Sequence, residues 1–243
     1  MSFKSKVLAA AAALTLVGGA GAGALTASTA NAATPSCGYG FAEACINIFN
    51  HQFGTHRHPN FLMDVWRQGQ KVGQPIILFR ASNTDPALDF TASDLTNANG
   101  SPMTVAEFQA IDPVFSPATL VQYGGNFVYE FQYSPYGVDS GLCVGIPSAP
   151  FQNEKVSLQG CGVTARTLWI QDSNDQTFFG GYVPLITGAN TNFTHPFVLT
   201  YPQNGYPTDV PRPQLMVREL QTYSNFPNVY NNQLWGYTVG PIF

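Results

Sequence analysis

From residue 45 onward the chain is built of short runs in which apolar and polar residues alternate, separated by Gly, Pro, Asn or Asp. "CINIFN", "QPIILFRA", "FVYEFQY", "KVSLQGC", "PFVLTY" and "QLMVREL" are the clearest of these runs. A period of two sends successive side chains to opposite faces of a sheet, so each run predicts a half-buried strand. The turn residues between them predict a many-stranded antiparallel fold. One segment is spaced as a helix instead. "SPMTVAEFQAIDP", Ser101 to Pro113, places Val105, Phe108 and Ile111 on one face and ends at a proline that cannot continue the helix.

The runs recur in threes. Each third holds an alternating strand, "IILFRA", "VSLQGC" or "LMVREL", then a polar stretch, then a large aromatic: Phe90, Trp169 or Trp235. The gaps to that aromatic are nine, eight and fifteen residues. An earlier strand also recurs, as "INIFN", "VYEFQY" and "YVPLIT". Three copies of one supersecondary unit point to a single closed architecture, because a lone copy cannot bury its apolar face. The copies are long, with 79 residues from Phe90 to Trp169 and 66 from Trp169 to Trp235. The excess lies in residues 91–120 and 201–213, which are expected to be surface insertions.

"GLCVGI…KVSLQGCGVTARTLW" in the middle third resembles the ricin B-type β-trefoil lectins. Their repeat has a Cys-Leu-Asp-Val strand, a Val-x-Leu-x-x-Cys strand and a closing Gln-x-Trp. Cys143 and Cys161 fall at the two cysteine positions; Leu62 and Ala81 take those places in the first third. The resemblance covers roughly residues 46–235 and implies an all-β fold, a single β-trefoil with long surface insertions. Closure of such a barrel removes exposed sheet edges. Phe90, Trp169 and Trp235 are expected to meet near its pseudo-threefold axis as core residues.

The resemblance also implies sugar sites. A competent repeat presents a carboxylate, an aromatic platform and an Asn-Gln pair, which suit sugar hydroxyls and the apolar face of a sugar ring. The first third has Asp64 as the carboxylate and Phe79 as the platform, but Ala87 and Leu88 in place of the amides. The middle third has Gly145, Gln159, Arg166 and Thr167, with neither acid nor ring. The last third keeps Asn232 and Gln233, with Arg218 at the platform, Leu199 at the acid position and Asp209 near enough in sequence to substitute. The resemblance therefore assigns ligand binding to Asp64 and Phe79 in one site and to Asn232 and Gln233 in a second. As alternative roles, Asp64 caps a turn and the two amides satisfy loop backbone.

The amino-terminal segment changes the setting. Lys4 and Lys6, the apolar run "VLAAAAALTLV" and the small-x-small site Ala30-Asn31-Ala32 predict a signal peptide over residues 1–32 and a secreted protein. A disulfide-bonded segment, 33–45, and a trefoil domain, 46–243, are expected to follow. The leader takes two of the ten basic residues and none of the fourteen acidic ones, leaving a net charge of −6. That balance argues against nucleic acid and anionic membranes as partners. In an oxidising compartment the four cysteines predict two disulfides, and the local pairing Cys37–Cys45 and Cys143–Cys161 is the expected one.

Little in the sequence suggests catalysis. It has no Gly-x-Ser-x-Gly elbow, P-loop or His-Glu-x-x-His helix. His51, His56 and His58 in "HQFGTHRH" are candidate metal ligands but are expected to be exposed loop histidines. The reading is a secreted, non-enzymatic module without a cofactor, binding extracellular glycan or polysaccharide through incomplete sites. The alternative is a trefoil scaffold whose insertions bind a protein partner, as an inhibitor would.

Overall fold

The structure, a computed structural model, describes residues 45–55, 58–82, 85, 90–92, 95, 97, 101–162, 164–173, 181–202, 206–209, 211–222 and 229–239. The chain divides into two compact units, residues 1–33 and 34–243, and every described residue lies in the second. Among the described residues no helix is long and apolar enough to cross a membrane.

Apart from two-residue ladders, the described residues form twelve strands, four per repeat. Repeat one holds β1 (Cys45–Asn50), β2 (Phe61–Val65), β3 (Ile76–Arg80) and β4 (Phe90–Ala92). Repeat two holds β5 (Val128–Tyr133), β6 (Leu142–Gly145), β7 (Ser157–Gly160) and β8 (Leu168–Gln171). Repeat three holds β9 (Leu185–Thr187), β10 (Phe197–Thr200), β11 (Met216–Glu219) and β12 (Trp235–Val239).

The pairing repeats with the same period. The first strand of each repeat pairs with its second: β1 with β2, β5 with β6, β9 with β10. Each first strand also pairs with the last strand of the preceding repeat: β5 with β4, β9 with β8, and β1 with β12, which closes the ring. Second and third strands form hairpins, β2–β3, β6–β7 and β10–β11. First and last strands of a repeat also pair, β1 with β4 and β5 with β8, and a Val183–Trp235 bridge joins the approach to β9 with β12, so among the described residues the ring is continuous.

The hairpins meet in a triangle of backbone hydrogen bonds. Ile76 N–H donates to the Val156 carbonyl (3.2 Å), Val156 N–H to Leu215 (2.9 Å) and Leu215 N–H to Ile76 (2.8 Å). All three side chains are fully buried. A cyclic exchange of this kind needs a threefold axis passing between the strands, and it fixes the fold as a β-trefoil. Phe90, Trp169 and Trp235 lie in one buried cluster with Met63, Val144 and Leu199. The indoles repeat one contact: Trp169 Nε1–H donates to the Val144 carbonyl (2.9 Å) and Trp235 Nε1–H to the Leu199 carbonyl (2.8 Å). The bond satisfies a polar atom that burial would otherwise penalise.

The insertion after β4 is not the surface appendage its sequence suggests. It forms two helices, α1 (Val105–Ile111) and α2 (Pro117–Tyr123). Thr104 and Glu107 close a capping box at the start of α1, and Ser116 caps α2. Val105, Phe115 and Tyr123 are buried in a second apolar cluster with Leu62, Leu168, Ile170 and Val198, outside the barrel. The expected apolar face of α1 is only partly buried, because Ile111, in its last turn, is 71% exposed.

Candidate functional site

The hairpin registers give the equivalent positions directly. Phe79 faces Leu62, Gln159 faces Cys143 and Arg218 faces Val198, so these three occupy the platform position. Two residues further along, Asp64 faces Ile77, Gly145 faces Ser157 and Thr200 faces Met216. The acid position of repeat three is therefore Thr200, not Leu199. Leu199 is the equivalent of Met63 and Val144 and points into the barrel. The 201–213 insertion hides this one-residue shift in the sequence.

Repeat one brings its two candidates together. Period-two alternation puts Asp64 and Phe79 on the same face of the β2–β3 hairpin, as diagonal neighbours. Asp64 is only 3% exposed. Burial and the neighbouring Asp85 carboxylate push it up from 3.8 to about 8, while the Arg212 guanidinium pulls it back. Arg212 comes from the proline-flanked "PRP" of the second insertion. Its guanidinium carbon lies 4.2 Å from the centre of the Phe79 ring and 5.5 Å from that of Trp66. Its Nε is buried with no hydrogen-bond partner among the described residues. Gln68 Nε2 donates to Asp85 Oδ1 at 3.2 Å, so the carboxylate that acts on Asp64 is held from the same edge. The result is a carboxyl, a ring and a cation on one rim. Ala87 and Leu88 lie outside the described residues.

Repeat two is closed at the same position. A β-carbon on Gly145 would stand 2.7 Å from the Arg166 carbonyl oxygen and 3.0 Å from Thr167 Cγ2, so a carboxylate there has no room. Gln159 Nε2 donates to Ser157 Oγ at 2.8 Å. Thr167 Oγ1 donates to Glu130 Oε1 at 2.7 Å, and the same oxygen accepts from Gly162 N–H at 2.8 Å. These contacts brace the loop beside the Cys143–Cys161 disulfide, which the structure contains. Both sulfurs are bonded to each other, so their proximity to Glu130 offers no thiolate pair to a metal.

In repeat three, Asn232 and Gln233 are 3% and 0% exposed. Gln233 Nε2 donates to Glu219 O (3.0 Å) and Thr200 Oγ1 (3.2 Å), and its Oε1 accepts from Gln221 N–H (2.8 Å). Asn232 Nδ2 donates to Tyr201 O at 2.9 Å, and its buried Oδ1 has no partner among the described residues. Gln233 thus satisfies backbone across the β11–β12 connection, and Asn232 satisfies the carbonyl of the residue that follows β10. Arg218 Nε donates to Asn153 Oδ1 at 2.6 Å. Asp209 accepts from Tyr206 N–H at 2.6 Å within its own turn, so it is engaged away from Thr200.

The histidine cluster is only partly described. His56 and the side chain of His58 lie outside the described residues. His51 is half-buried rather than an exposed loop residue, with its ring 4.3 Å from Tyr182 in an edge-on contact. Cys37 and the side chain of Cys45 also lie outside the described residues.

No protein-family model matches the sequence, and no curated protein matches it. Several solved structures resemble this one. A designed threefold-symmetric protein, ThreeFoil, has 14% identity and a TM-score of 0.47, over 79% of this chain and 96% of that one. The Rhizoctonia solani agglutinin has 14% identity and a TM-score of 0.46, over 83% and 99%. An agglutinin from Abrus precatorius has 15% identity and a TM-score of 0.41, over 82% of this chain and 48% of that one. The chain's own triangle of backbone bonds and its repeated indole contact carry the β-trefoil assignment.

Proposed function

We propose that this chain is an exported, non-enzymatic carbohydrate-binding module that engages extracellular glycan through repeat one. The observation that carries this reading is the placement of Asp64 and Phe79 on one hairpin face with Arg212 over the ring. A carboxyl supplies hydrogen bonds to vicinal hydroxyls, the ring packs on the apolar face of a sugar, and the guanidinium adds several donors. Arg212 occupies the face of Phe79 where a sugar would stack, so binding requires it to swing toward the sugar's hydroxyls. That competition makes the site weak. Repeats two and three contribute little contact, because Gly145 is walled in and Gln233 is engaged with backbone. The Cys143–Cys161 disulfide suits an oxidising compartment.

The test is a broad polysaccharide and glycan panel probed with the full chain, Asp64→Asn and Phe79→Ala. Saturable binding weakened by both substitutions supports the reading. Binding that is absent from every glycan, or unchanged in both variants, overturns it. A second reading, a protein partner held by the insertions, is favoured by Ile111 and Val121, which stand 71% and 89% exposed on the two helices. It predicts that Ile111→Asp with Val121→Asp abolishes capture of that partner while leaving the fold intact.

A further inference from the structure

Two guanidiniums converge on the edge of the repeat-one hairpin, and neither is neutralised there. Trp66 follows β2 and is half-buried; from its ring centre the guanidinium carbon of Arg67 lies at 5.3 Å and that of Arg212 at 5.5 Å. Arg212 also lies over Phe79, at 4.2 Å. Among the described residues neither guanidinium has a hydrogen bond or an ion pair, and the Nε of Arg212 is buried. Outside the leader the chain carries fourteen acidic residues and eight basic ones, so carboxylates to pair with are plentiful. The fold nevertheless holds these two cations apart from them. A buried guanidinium N–H without an acceptor costs free energy that an anionic ligand recovers.

The turn that presents Arg67 is fixed in an uncommon shape. Arg67 and Gln68 both have φ of 55°, a left-handed conformation that residues with a β-carbon rarely adopt. Trp66 N–H donates to the Pro75 carbonyl at 3.0 Å, and the Trp66 carbonyl accepts from Gly69 N–H at 3.4 Å and from Gln74 Nε2. Such contacts are what keep a strained backbone in place. They fold Arg67 back over the indole and turn Gln68 onto Asp85 Oδ1 at 3.2 Å. At neutral pH Asp64 keeps its proton, because burial and Asp85 raise its pKa to about 8. It is then a donor rather than a competing anion. Two guanidiniums thus stand against one carboxylate, Asp85, which Gln68 already engages.

We infer that the repeat-one rim selects acidic glycans, with Arg212 and Arg67 binding an oxyanion carried by a sugar that stacks on the Phe79 and Trp66 rings. The inference rests on the repeat-one reading and adds the charge class of its ligand. The fork of Arg212 matches a uronate carboxylate or a sulfate ester, each of which presents paired oxygens. Swinging off Phe79 exchanges a cation–π contact for charge-assisted hydrogen bonds, which are the stronger interaction. A neutral sugar offers the guanidinium only hydroxyls, so the same swing returns less. An acidic peptide carries the charge but lacks the flat apolar face of a sugar ring. The selecting groups lie outside the acid, platform and amide positions: Arg212 comes from the second insertion and Arg67 from the turn after β2.

The experiment is isothermal titration calorimetry of the full chain with matched pairs: tetragalacturonate against its methyl ester, and a galactan tetrasaccharide with and without sulfate esters. At least one acidic member is expected to bind about tenfold tighter than its neutral partner, an advantage that shrinks as salt is raised. The two pairs distinguish a uronate from a sulfate. Arg212→Ala and Arg67→Ala should each reduce the advantage, and Arg212→Lys should keep only part of it, because an ammonium lacks the fork. Arg67 is exposed, so its truncation tests binding without disturbing the core. Arg166→Ala, on repeat two, should leave the advantage intact. Equal binding within both pairs, an advantage that survives both alanine variants or falls equally in Arg166→Ala, or hexaglutamate binding as tightly as the acidic sugars would overturn the inference. Equal binding that still weakens in Phe79→Ala sinks the charge preference alone. No binding of any sugar sinks the repeat-one reading with it.

Discussion

Around the threefold axis the three repeats are nearly interchangeable; at the rim of the hairpins they are not. Ile76, Val156 and Leu215 exchange backbone bonds in a closed cycle, and Trp169 and Trp235 bond the same carbonyl of their own repeats. A few residues away, one equivalent set reads Asp64, Gly145 and Thr200, and another reads Phe79, Gln159 and Arg218. The axis tolerates little change because every group there is buried and each bond closes on the next. The rim faces no such closure, so each repeat has gone its own way: one keeps a carboxyl and a ring, one is filled by backbone, and one uses its amide to tie a loop.

The comparison is broken most severely at the axis. Trp169→Ala removes a fully buried indole and its bond to Val144, and is expected to cost about 3–5 kcal/mol by denaturant unfolding. A loss below about 1 kcal/mol would show that the axis is not a shared plug. Next comes the disulfide. Cys143→Ala with Cys161→Ala opens a loop of sequence separation 18, for an expected loss of about 3 kcal/mol. Gln233→Ala follows, at about 2 kcal/mol, because Gln221 N–H and the Glu219 carbonyl lose their partner. If Gln233 instead served only a ligand, that variant would unfold like the parent.

The sequence showed the axis better than the rim, for a physical reason. Alternating runs and bulky aromatics reflect burial, which is local to each strand, so β1, the hairpins and Phe90, Trp169 and Trp235 were all readable. The Cys143–Cys161 hairpin was readable from the family pattern. The third repeat's register was not, because the 201–213 insertion separates its two hairpin strands and shifts the acid position to Thr200. The helix from Pro117 to Tyr123 carries a Ser116 cap and a proline at its first position, yet seven residues are too few to show a periodic face. Arg212 was missed because its contact with Phe79 joins residues of different repeats, and no spacing rule reports such a pairing. Tyr123, Asp172 and Phe193, which line one cavity, went unseen for the same reason: they meet only once the insertion has packed.

The two remaining tests sharpen the rim itself. Asp64 has its folded-state pKa raised to about 8 from an ordinary 3.8. The folded protein therefore holds a proton that the unfolded chain has released, and the Asp64 contribution to stability is fully present below about pH 4. It falls as pH rises toward 8, by about 1.4 kcal/mol per unit at the steepest, and levels off above that. Asp64→Asn should flatten this decline in thermal unfolding, and an equally steep decline in the variant would place its cause elsewhere. Arg212→Ala is the gentlest change. Losing a cation that lies over two rings, Phe79 and Trp66, costs about 1 kcal/mol. Removing the positive charge that lowers Asp64 should move its titration further upward, seen in the carboxyl carbon's NMR shift. With the guanidinium gone, the Phe79 ring is open to a sugar but one set of donors is lost. Tighter glycan binding in Arg212→Ala identifies the arginine as a cover over the platform; weaker binding identifies it as a contact that moves onto the ligand.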